Sequence, residues 1–380
     1  MSSGSAIRAA GGPPVLLTRR ESLLRATEHA VFGFGPVVAS LALLAFQFKI
    51  HAVAVDFHSA YYPAAVRFLA GASPYAATHH AITGGTAFVY PALSVLGFAP
   101  FALLSRGIAQ IVYMLICIAC VPATLHTLRV RDWRVYGVVF YWLPIYGGWQ
   151  SSNLTLPLLL LAALLWRHRD RPVVAGLLVA LAVSLKPFVW PLGLWLLATR
   201  RLRAAAWSLA GGVALNLLAW LVVGPAQLSV YLHLSSQVTD ALWRGGYSML
   251  AVAHHLGLGR GSGELMLFCV AALSAGAVVF VGLAHRDDRA ALALTVLLML
   301  VASPLVWSHY FALLLLPIAL YRPRLGWLWA VPVLMWPMPP SYAVTGWEAA
   351  LAWTLTAGCL LALLRERRSP PASRGVVGLG

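Results

Sequence analysis

The sequence contains few charged residues. Only 10% of its 380 residues are Asp, Glu, Lys or Arg, whereas a soluble domain has about a quarter. Apolar runs of about 18 residues or more recur along the chain instead, and such runs are typical of membrane-spanning helices. Because an open sheet cannot satisfy its backbone hydrogen bonds in lipid, we expect an all-α, polytopic membrane protein.

Acidic residues and lysines are scarce. The chain has 11 acidic residues and only two lysines, Lys49 and Lys186, so its formal net charge of +16 comes mainly from arginine. The arginines lie in short clusters between apolar runs, which is the positive-inside pattern of membrane proteins and argues against a nucleic-acid partner. The clusters are "TRR", "RVRDWR", "RHRDR", "TRRLR", "HRDDR", "YRPR" and "RERR".

Metal-ligating residues do not form a recognisable site. Cys117 and Cys120 have CxxC spacing, but the four cysteines all lie in apolar runs and include no second such pair. Two pairs of adjacent histidines, 79–80 and 254–255, cannot face one site on a helix or strand. We therefore expect neither a metal nor a cofactor.

Placing the basic clusters inside predicts about twelve membrane spans. In that scheme residues 1–28 and 365–380 are cytoplasmic tails, and residues 29–364 form a single membrane domain. Its two long outer loops are residues 53–88 and 224–263. The polar motifs of the chain then fall at the outer face, so a site there faces outward.

Two segments are too short or too interrupted for simple spans. Residues 89–104 hold two prolines, and we interpret them as re-entrant or interfacial. Residues 172–198 lie between two basic clusters and break at Lys186-Pro187. Broken helices at membrane depth are tolerated where they line a cavity enclosed by protein.

Three outer residues are candidates for chemistry. Asp56 is one of very few outer carboxylates, and we favour a functional role over a solvated loop residue. Lys186 either binds a lipid-linked phosphate or extends to the headgroups, with neither alternative preferred. His309 either moves a proton or is an interfacial histidine with a hydrogen-bond partner, and the residues alone favour the second interpretation.

Two arginines, Arg67 and Arg244, lie on the outer side against the general trend. Each either clamps a phosphate or sugar or is a solvated loop residue. Tyr61, Tyr62 and Arg67 follow Asp56 at roughly helical spacing, which predicts an amphipathic helix along the membrane interface.

Ordered motifs along the chain resemble those of glycosyltransferase family 87, whose members use polyprenyl-phosphate sugars. The first is D-F-x-x-x-Y-Y from Asp56 to Tyr62, continued by Gly71, Pro74 and Tyr75. "LKP" lies at 185–187, and "SP-x-x-W-x-H" lies at 303–309. The G-Q-x-N motif of the family corresponds to "GWQSSN", which has one extra residue between Gln150 and Asn153. A later N-Q-S-L motif is replaced by residues 246–249.

The resemblance implies a GT-C fold with an outward-facing active site in the bacterial cytoplasmic membrane. A sugar, mannose in preference to arabinofuranose, would move from a polyprenyl phosphate to the hydroxyl of a glycolipid or polysaccharide. Asp56 would be the catalytic base, with His309 assisting. The other implied residues bind substrate: Lys186, Arg67, Tyr61, Tyr62, Gln150, Asn153 and Arg244.

A transporter or flippase of a lipid-linked or small substrate is the alternative. An intramembrane lysine and broken helices would suit it equally well. Transporters commonly have repeated halves, however, and neither the Asp56 motif nor the Lys186 motif occurs twice. The enzyme is therefore the preferred hypothesis.

Overall fold

The structure is a computed structural model that describes residues 19–339 and 342–366. These residues form helices and loops, with no β-strand in the described ranges. Residues 19–28 and 365–366, which we expected in the two tails, belong to helices. The remainder of the two expected tails, 1–18 and 367–380, lies outside the described residues.

Eighteen α-helices make up most of the described part of the chain. In chain order they are α1 (Arg19–His29), α2 (Gly35–Lys49), α3 (Tyr62–Leu69), α4 (His79–Thr83), α5 (Ala92–Phe98), α6 (Arg106–Thr127), α7 (Trp133–Val138), α8 (Leu143–Gln150), α9 (Thr155–His168), α10 (Pro172–Leu185), α11 (Pro191–Ala198), α12 (Leu202–Val223), α13 (Gln227–Leu242), α14 (Met249–His255), α15 (Arg260–Ala284), α16 (Asp288–Val301), α17 (Leu315–Tyr321) and α18 (Gly346–Glu366).

Shorter helical segments of other types connect them. Two π-helical segments are Ala30–Phe34 and Phe57–Tyr61. The 3-10 helices are Ala99–Leu103, Val139–Tyr141, Pro187–Val189, Ser308–Leu314 and Trp327–Met335.

Five helices in the described ranges are long and apolar enough to cross a membrane. They are Arg20–Lys49, Arg106–Thr127, Leu202–Val223, Arg260–Ala284 and Gly346–Arg365. A sixth candidate is the pair α8 and α9, which is bent by 116°. The chain is thus a polytopic helical protein, but the expected count of about twelve spans is not confirmed.

Several apolar segments are short and covered by protein, so their apolarity does not decide whether they cross the membrane. In α8 every residue is buried, and so is every residue of the 3-10 helix Ser308–Leu314. In α16 ten of the 14 residues are buried. Apolarity in these segments reflects packing inside the protein, and a composition pattern does not distinguish that from contact with lipid.

The close packing of α10 against α12 requires a glycine. A Cβ atom at Gly176 would clash with the Cβ of Trp207 and would lie 2.5 Å from the carbonyl oxygen of Ala204. Small residues allow helix backbones to approach in this way inside a membrane. The packing fixes the position of α10, and Lys186 follows at its C-terminal end.

Candidate active site

A cavity of about 600 Å³ lies where several helix ends meet. Its wall includes residues from the segments before α3, after α4, between α8 and α9, and after α10, together with the loop before α17. Six residues predicted from the sequence line it: Asp56, Tyr61, Gln150, Asn153, Lys186 and His309.

Asp56 is held by the backbone of the loop between α8 and α9. Its amide N–H donates to the carbonyl oxygen of Ser151 at 3.0 Å, and the N–H of Ala54 donates to that of Gln150 at 2.6 Å. Ala54 has φ of 51°, a left-handed conformation that turns the chain after α2. A π-helical segment begins directly after Asp56, and such segments are frequent at functional sites.

Asn153 connects the carboxylate of Asp56 with the ammonium group of Lys186. Its Nδ2 donates to Asp56, and its Oδ1 accepts from Lys186 Nζ at 3.1 Å. The backbone N–H and the hydroxyl of Thr155 also donate to this oxygen, which fixes the orientation of the amide. Ser152, with φ of 52°, directs the chain so that Asn153 faces the cavity.

Lys186 follows the last residue of α10 and has an extended backbone, because residues before a proline avoid the helical region. It is only 7% exposed. Its Nζ lies 4.2 Å from the ring centroid of Tyr310, 5.2 Å from that of Phe188 and 5.4 Å from that of Tyr90. Burial lowers the pKa of Lys186 to about 7, while the charge of Asp56 opposes that shift. Aromatic faces and an approaching anion both favour the ammonium form, and the cavity is large enough for an anion to approach.

His309 lies near the start of the 3-10 helix Ser308–Leu314 and is 7% exposed. Its Nε2 has no hydrogen-bond partner among the described residues. Buried polar atoms are nearly always paired, so a buried imidazole nitrogen without a partner at a cavity wall is available to a ligand.

The electrostatics of Asp56 combine opposing effects. Burial raises the pKa of its carboxyl group, while the hydrogen bond from Asn153 and the charge of Lys186 lower it. Burial has the largest effect, so the pKa lies above the ordinary value of an aspartate. A carboxylate with a raised pKa is a better proton acceptor than an ordinary aspartate.

Tyr61 and Gln150 have structural contacts as well as positions on the cavity wall. The hydroxyl of Tyr61 donates to that of Tyr90 at 2.8 Å, and its ring stacks on Phe98. Gln150 donates to the carbonyl oxygen of Ala52 and so ties the segment before Asp56 to α8.

Three of the predicted substrate-binding residues do not line the cavity. The hydroxyl of Tyr62 donates to Leu104 O at 2.9 Å. Arg67 is half-buried on α3, and Arg244 is exposed beside the ring of Trp243. A role for these three residues stays a prediction.

Sequence reasoning did not select the rings around Lys186 as site residues. Tyr90 and Tyr310 both line the cavity, and Trp307 lines it as well. Trp307 is part of the motif at 303–309 and Tyr310 directly follows it, and this position was the available signal for these two residues. In the part of the chain that the structure describes, no three His, Cys, Asp or Glu side chains are grouped to hold a metal ion.

The helical fold and the cavity lined by Asp56, Asn153, Lys186 and His309 define a polytopic membrane protein with a candidate site among its helix ends. The model of glycosyltransferase family 87 matches residues 88–304, more than half of the chain, so the protein belongs to that family. This confirms the resemblance. The matched segment contains Asn153 and Lys186, while Asp56 precedes it and His309 follows it.

Two curated relatives carry the same name, polyprenol-phosphate-mannose-dependent α-(1-2)-phosphatidylinositol pentamannoside mannosyltransferase. The protein from Mycolicibacterium smegmatis is 27% identical over 301 residues, which are 72% of this chain and 66% of the relative. The one from Mycobacterium tuberculosis is 24% identical over 290 residues, 68% of this chain and 62% of the relative. The chain thus spans slightly less than two thirds of these relatives. No solved structure matches it.

Proposed function

We propose that the protein transfers mannose from a polyprenyl-phosphate donor to an acceptor hydroxyl at the outer face of a bacterial cytoplasmic membrane. The observation that carries the proposal is the placement of Asp56, Lys186 and His309 on one cavity, with Asn153 joining the carboxylate to the ammonium group. The donor is taken from the names of the two curated relatives, which are mannosyltransferases dependent on polyprenol-phosphate-mannose.

In the proposed reaction Asp56 removes the proton from the acceptor hydroxyl. The hydroxyl oxygen forms a bond to C1 of the sugar, and the bond between C1 and the phosphate oxygen breaks. The electron pair leaves with polyprenyl phosphate, so a single displacement inverts the configuration at C1. Because phosphate leaves as a stable anion, no carboxylic acid is required to protonate it, in contrast to the carboxylate pair of glycosidases.

Lys186 is the group that we assign to the phosphate. An ammonium ion with no direct carboxylate contact retains its attraction for an anion, and lysine binds phosphate as a point charge. As negative charge increases on the departing phosphate, this attraction strengthens, which lowers the barrier.

His309 is assigned to orient substrate through its unpartnered Nε2. A neutral imidazole nitrogen either donates or accepts a hydrogen bond, depending on its tautomer. A sugar hydroxyl satisfies both possibilities. Trp307, on the same wall, offers an apolar face against which a sugar ring can pack.

The acceptor named for the relatives is a phosphatidylinositol mannoside, which is a glycolipid. We propose an acceptor of the same general class, or a polysaccharide, and leave the linkage open. A cavity of about 600 Å³ lies within the range of small-molecule sites and accommodates the reacting sugars, with both lipid tails outside.

The test is transfer of radiolabelled mannose from polyprenyl phosphate in membranes that contain either wild-type protein or the Asp56→Asn variant. Loss of a general base costs about 10²–10⁴-fold in rate, so we expect transfer to fall by that factor at an unchanged expression level. Other polyprenyl-phosphate sugars, including arabinofuranose, serve as parallel donors.

The matched control is Asp240→Asn, since Asp240 is an exposed carboxylate paired with Arg260 at 2.6 Å. It should retain wild-type transfer. Undiminished transfer by Asp56→Asn would remove this carboxylate from the mechanism. Transfer only from a polyprenyl phosphate that carries another sugar would show that mannose is not the transferred sugar.

A further inference from the structure

A second cavity, of about 490 Å³, lies at the far ends of α6, α9 and α17. Four arginines line it: Arg129, Arg167, Arg169 and Arg289. No acidic residue is among its lining residues. Since α9 has 14 residues, its length separates this basic cavity from Asn153 by about 20 Å. The basic cavity is therefore distinct from the candidate active site.

Three of the four arginines are not neutralised by carboxylates. Within the described ranges, no ion pair involves Arg129, Arg167 or Arg289. Arg169 has carboxylate oxygens of Asp170 and Asp288 at 3.9 and 3.6 Å. Its guanidinium group also lies 4.2 Å from the ring centroid of Trp166. An excess of about three positive charges thus surrounds one cavity.

Arg129 occupies a backbone position that favours glycine. It follows the C-cap of α6 with φ of 61°, where helices usually end in glycine. A left-handed conformation is unfavourable for a residue with a Cβ atom. In this conformation Arg129 lines the cavity.

Apart from Thr127, the rest of the lining is apolar and includes Leu128, Leu320 and Pro323. A phosphate attached to a glycerol backbone and acyl chains offers the matching combination of charge and apolar surface. Guanidinium groups bind phosphate through paired hydrogen bonds. Basic pockets between membrane helices are suited to anionic lipid headgroups for the same reasons.

An adjoining cavity of about 620 Å³ shares Arg169 and Arg289 but is also lined by Asp287 and Asp288. These carboxylates repel an anion. The phosphate is therefore expected on the side of Arg129 and Arg167, where the lining has no acidic residue.

We propose that the basic cavity binds the phosphate of an anionic phospholipid, with Arg129, Arg167 and Arg289 as its direct contacts. The elements that form the basic cavity also lead to the candidate active site. Asn153 lies two residues before the start of α9, and the helix that carries His309 continues into α17. A lipid bound between the far ends of these helices ties them together and stabilises the fold.

The experiment titrates the purified full chain, in neutral detergent, with dioctanoyl-phosphatidylglycerol and follows its Tm. Dioctanoyl-phosphatidylcholine and inorganic phosphate are the parallel probes. A ligand that binds the folded state raises Tm with saturation. We expect a rise of several degrees with phosphatidylglycerol, and at least a tenfold weaker apparent affinity in the triple variant Arg129→Gln/Arg167→Gln/Arg289→Gln.

The matched control removes three arginines that lie outside the basic cavity and are exposed, Arg131→Gln/Arg203→Gln/Arg365→Gln. It should respond as the wild type does. An equal loss of response in this control, or an undiminished response in the triple variant, would overturn the proposal. A saturable shift with inorganic phosphate, lost in the triple variant, would support the site and identify free phosphate as its source. If the triple variant does not fold, the single variants Arg167→Gln and Arg289→Gln provide the same comparison.

Discussion

At the scale of single residues, the central feature is the amide of Asn153 between two opposite charges. A direct contact between Asp56 and Lys186 would commit the carboxylate and the ammonium group to each other. The amide satisfies both with one side chain, and both groups still line the cavity. Asp56 can therefore accept a proton while Lys186 attracts a phosphate.

The first prediction in this setting concerns Asn153→Ala and the pH dependence of transfer. A general base acts in its ionised form, so kcat/KM falls as the pH drops through the pKa of Asp56. Burial raises that pKa. The acidic limb of the profile should therefore lie at higher pH than the ordinary aspartate pKa of about 3.9. Because the Asn153 hydrogen bond lowers the pKa, its removal should move the limb to higher pH.

The rate should also fall in Asn153→Ala, by about 10- to 100-fold, since hydrogen bonds to charged groups contribute about 1.5–3 kcal/mol. The measurement is kcat/KM against pH. Asn216→Ala is the matched control, because Asn216 donates to Ser184 Oγ at 2.8 Å and does not line the cavity. A lower rate with an unmoved acidic limb would contradict the role of Asn153 in setting the pKa.

The sequence was informative about the types of residue in the site and less so about their contacts. Asp56, Lys186 and His309 were predicted from scarcity, position and motif, and the structure brings them to one cavity. Asn153 links Asp56, which lies 97 positions before it in the sequence, with Lys186, which lies 33 positions after it. Such pairing depends on tertiary packing, which no local pattern encodes.

At the scale of helices and loops, the site is built from departures from regular helix. Ala54 and Ser152 both have positive φ, and neither is a glycine that would have marked the turn in the sequence. The π-helical segment Phe57–Tyr61 overlaps only the start of the helix that was predicted from Tyr61, Tyr62 and Arg67. Its extra residue per turn has no periodic signature, so the sequence predicted the helix that continues as α3 and not this feature.

Gly246 is the residue at this scale whose replacement we predict to be most damaging. Its φ is +70°, and a Cβ atom would lie 2.6 Å from the carbonyl oxygen of Val306. The next residue, Tyr247, donates its N–H to that same oxygen at 2.8 Å. Gly246→Ala should therefore displace the loop that leads to His309, lowering both Tm and transfer.

Gly257→Ala separates the two causes of this effect. Gly257 has φ of +76°, but a Cβ atom there would meet no other atom within 4 Å, so its substitution carries only the conformational cost, about 1–2 kcal/mol. We expect a larger drop in Tm for Gly246→Ala than for Gly257→Ala, measured by thermal unfolding in detergent. Equal Tm values would mean that the contact with Val306 is unimportant.

At the scale of the whole molecule, composition predicted a polytopic helical protein correctly but did not fix its number of spans. Short apolar segments such as α8 and α16 are enclosed by the rest of the chain. A cavity for a polar reaction inside a membrane protein needs a wall of such segments, because lipid cannot line it. Hydrophobicity alone therefore does not decide how many of these segments cross the membrane.

The last prediction concerns the side of the membrane on which the cavity opens. α4 leads into the cavity-lining segment 84–87, and His80 on this helix is exposed. Arg131 is exposed in the loop between α6 and α7. If the basic clusters face the cytoplasm, then a membrane-impermeant maleimide added to intact cells should label His80→Cys and should label Arg131→Cys only after permeabilisation.

The parent for both variants carries Cys269→Ala, which removes the one exposed cysteine of the described residues. Cys117, Cys120 and Cys359 are buried, so the parent itself should remain unlabelled and serves as the blank. Labelling is read by the mass shift of the purified chain. The opposite pattern, with Arg131→Cys labelled in intact cells and His80→Cys protected, would place the candidate active site on the cytoplasmic side. In that case the lipid-linked donor would have to be used before it crosses the membrane, and the charge-based topology would have to be inverted as a whole.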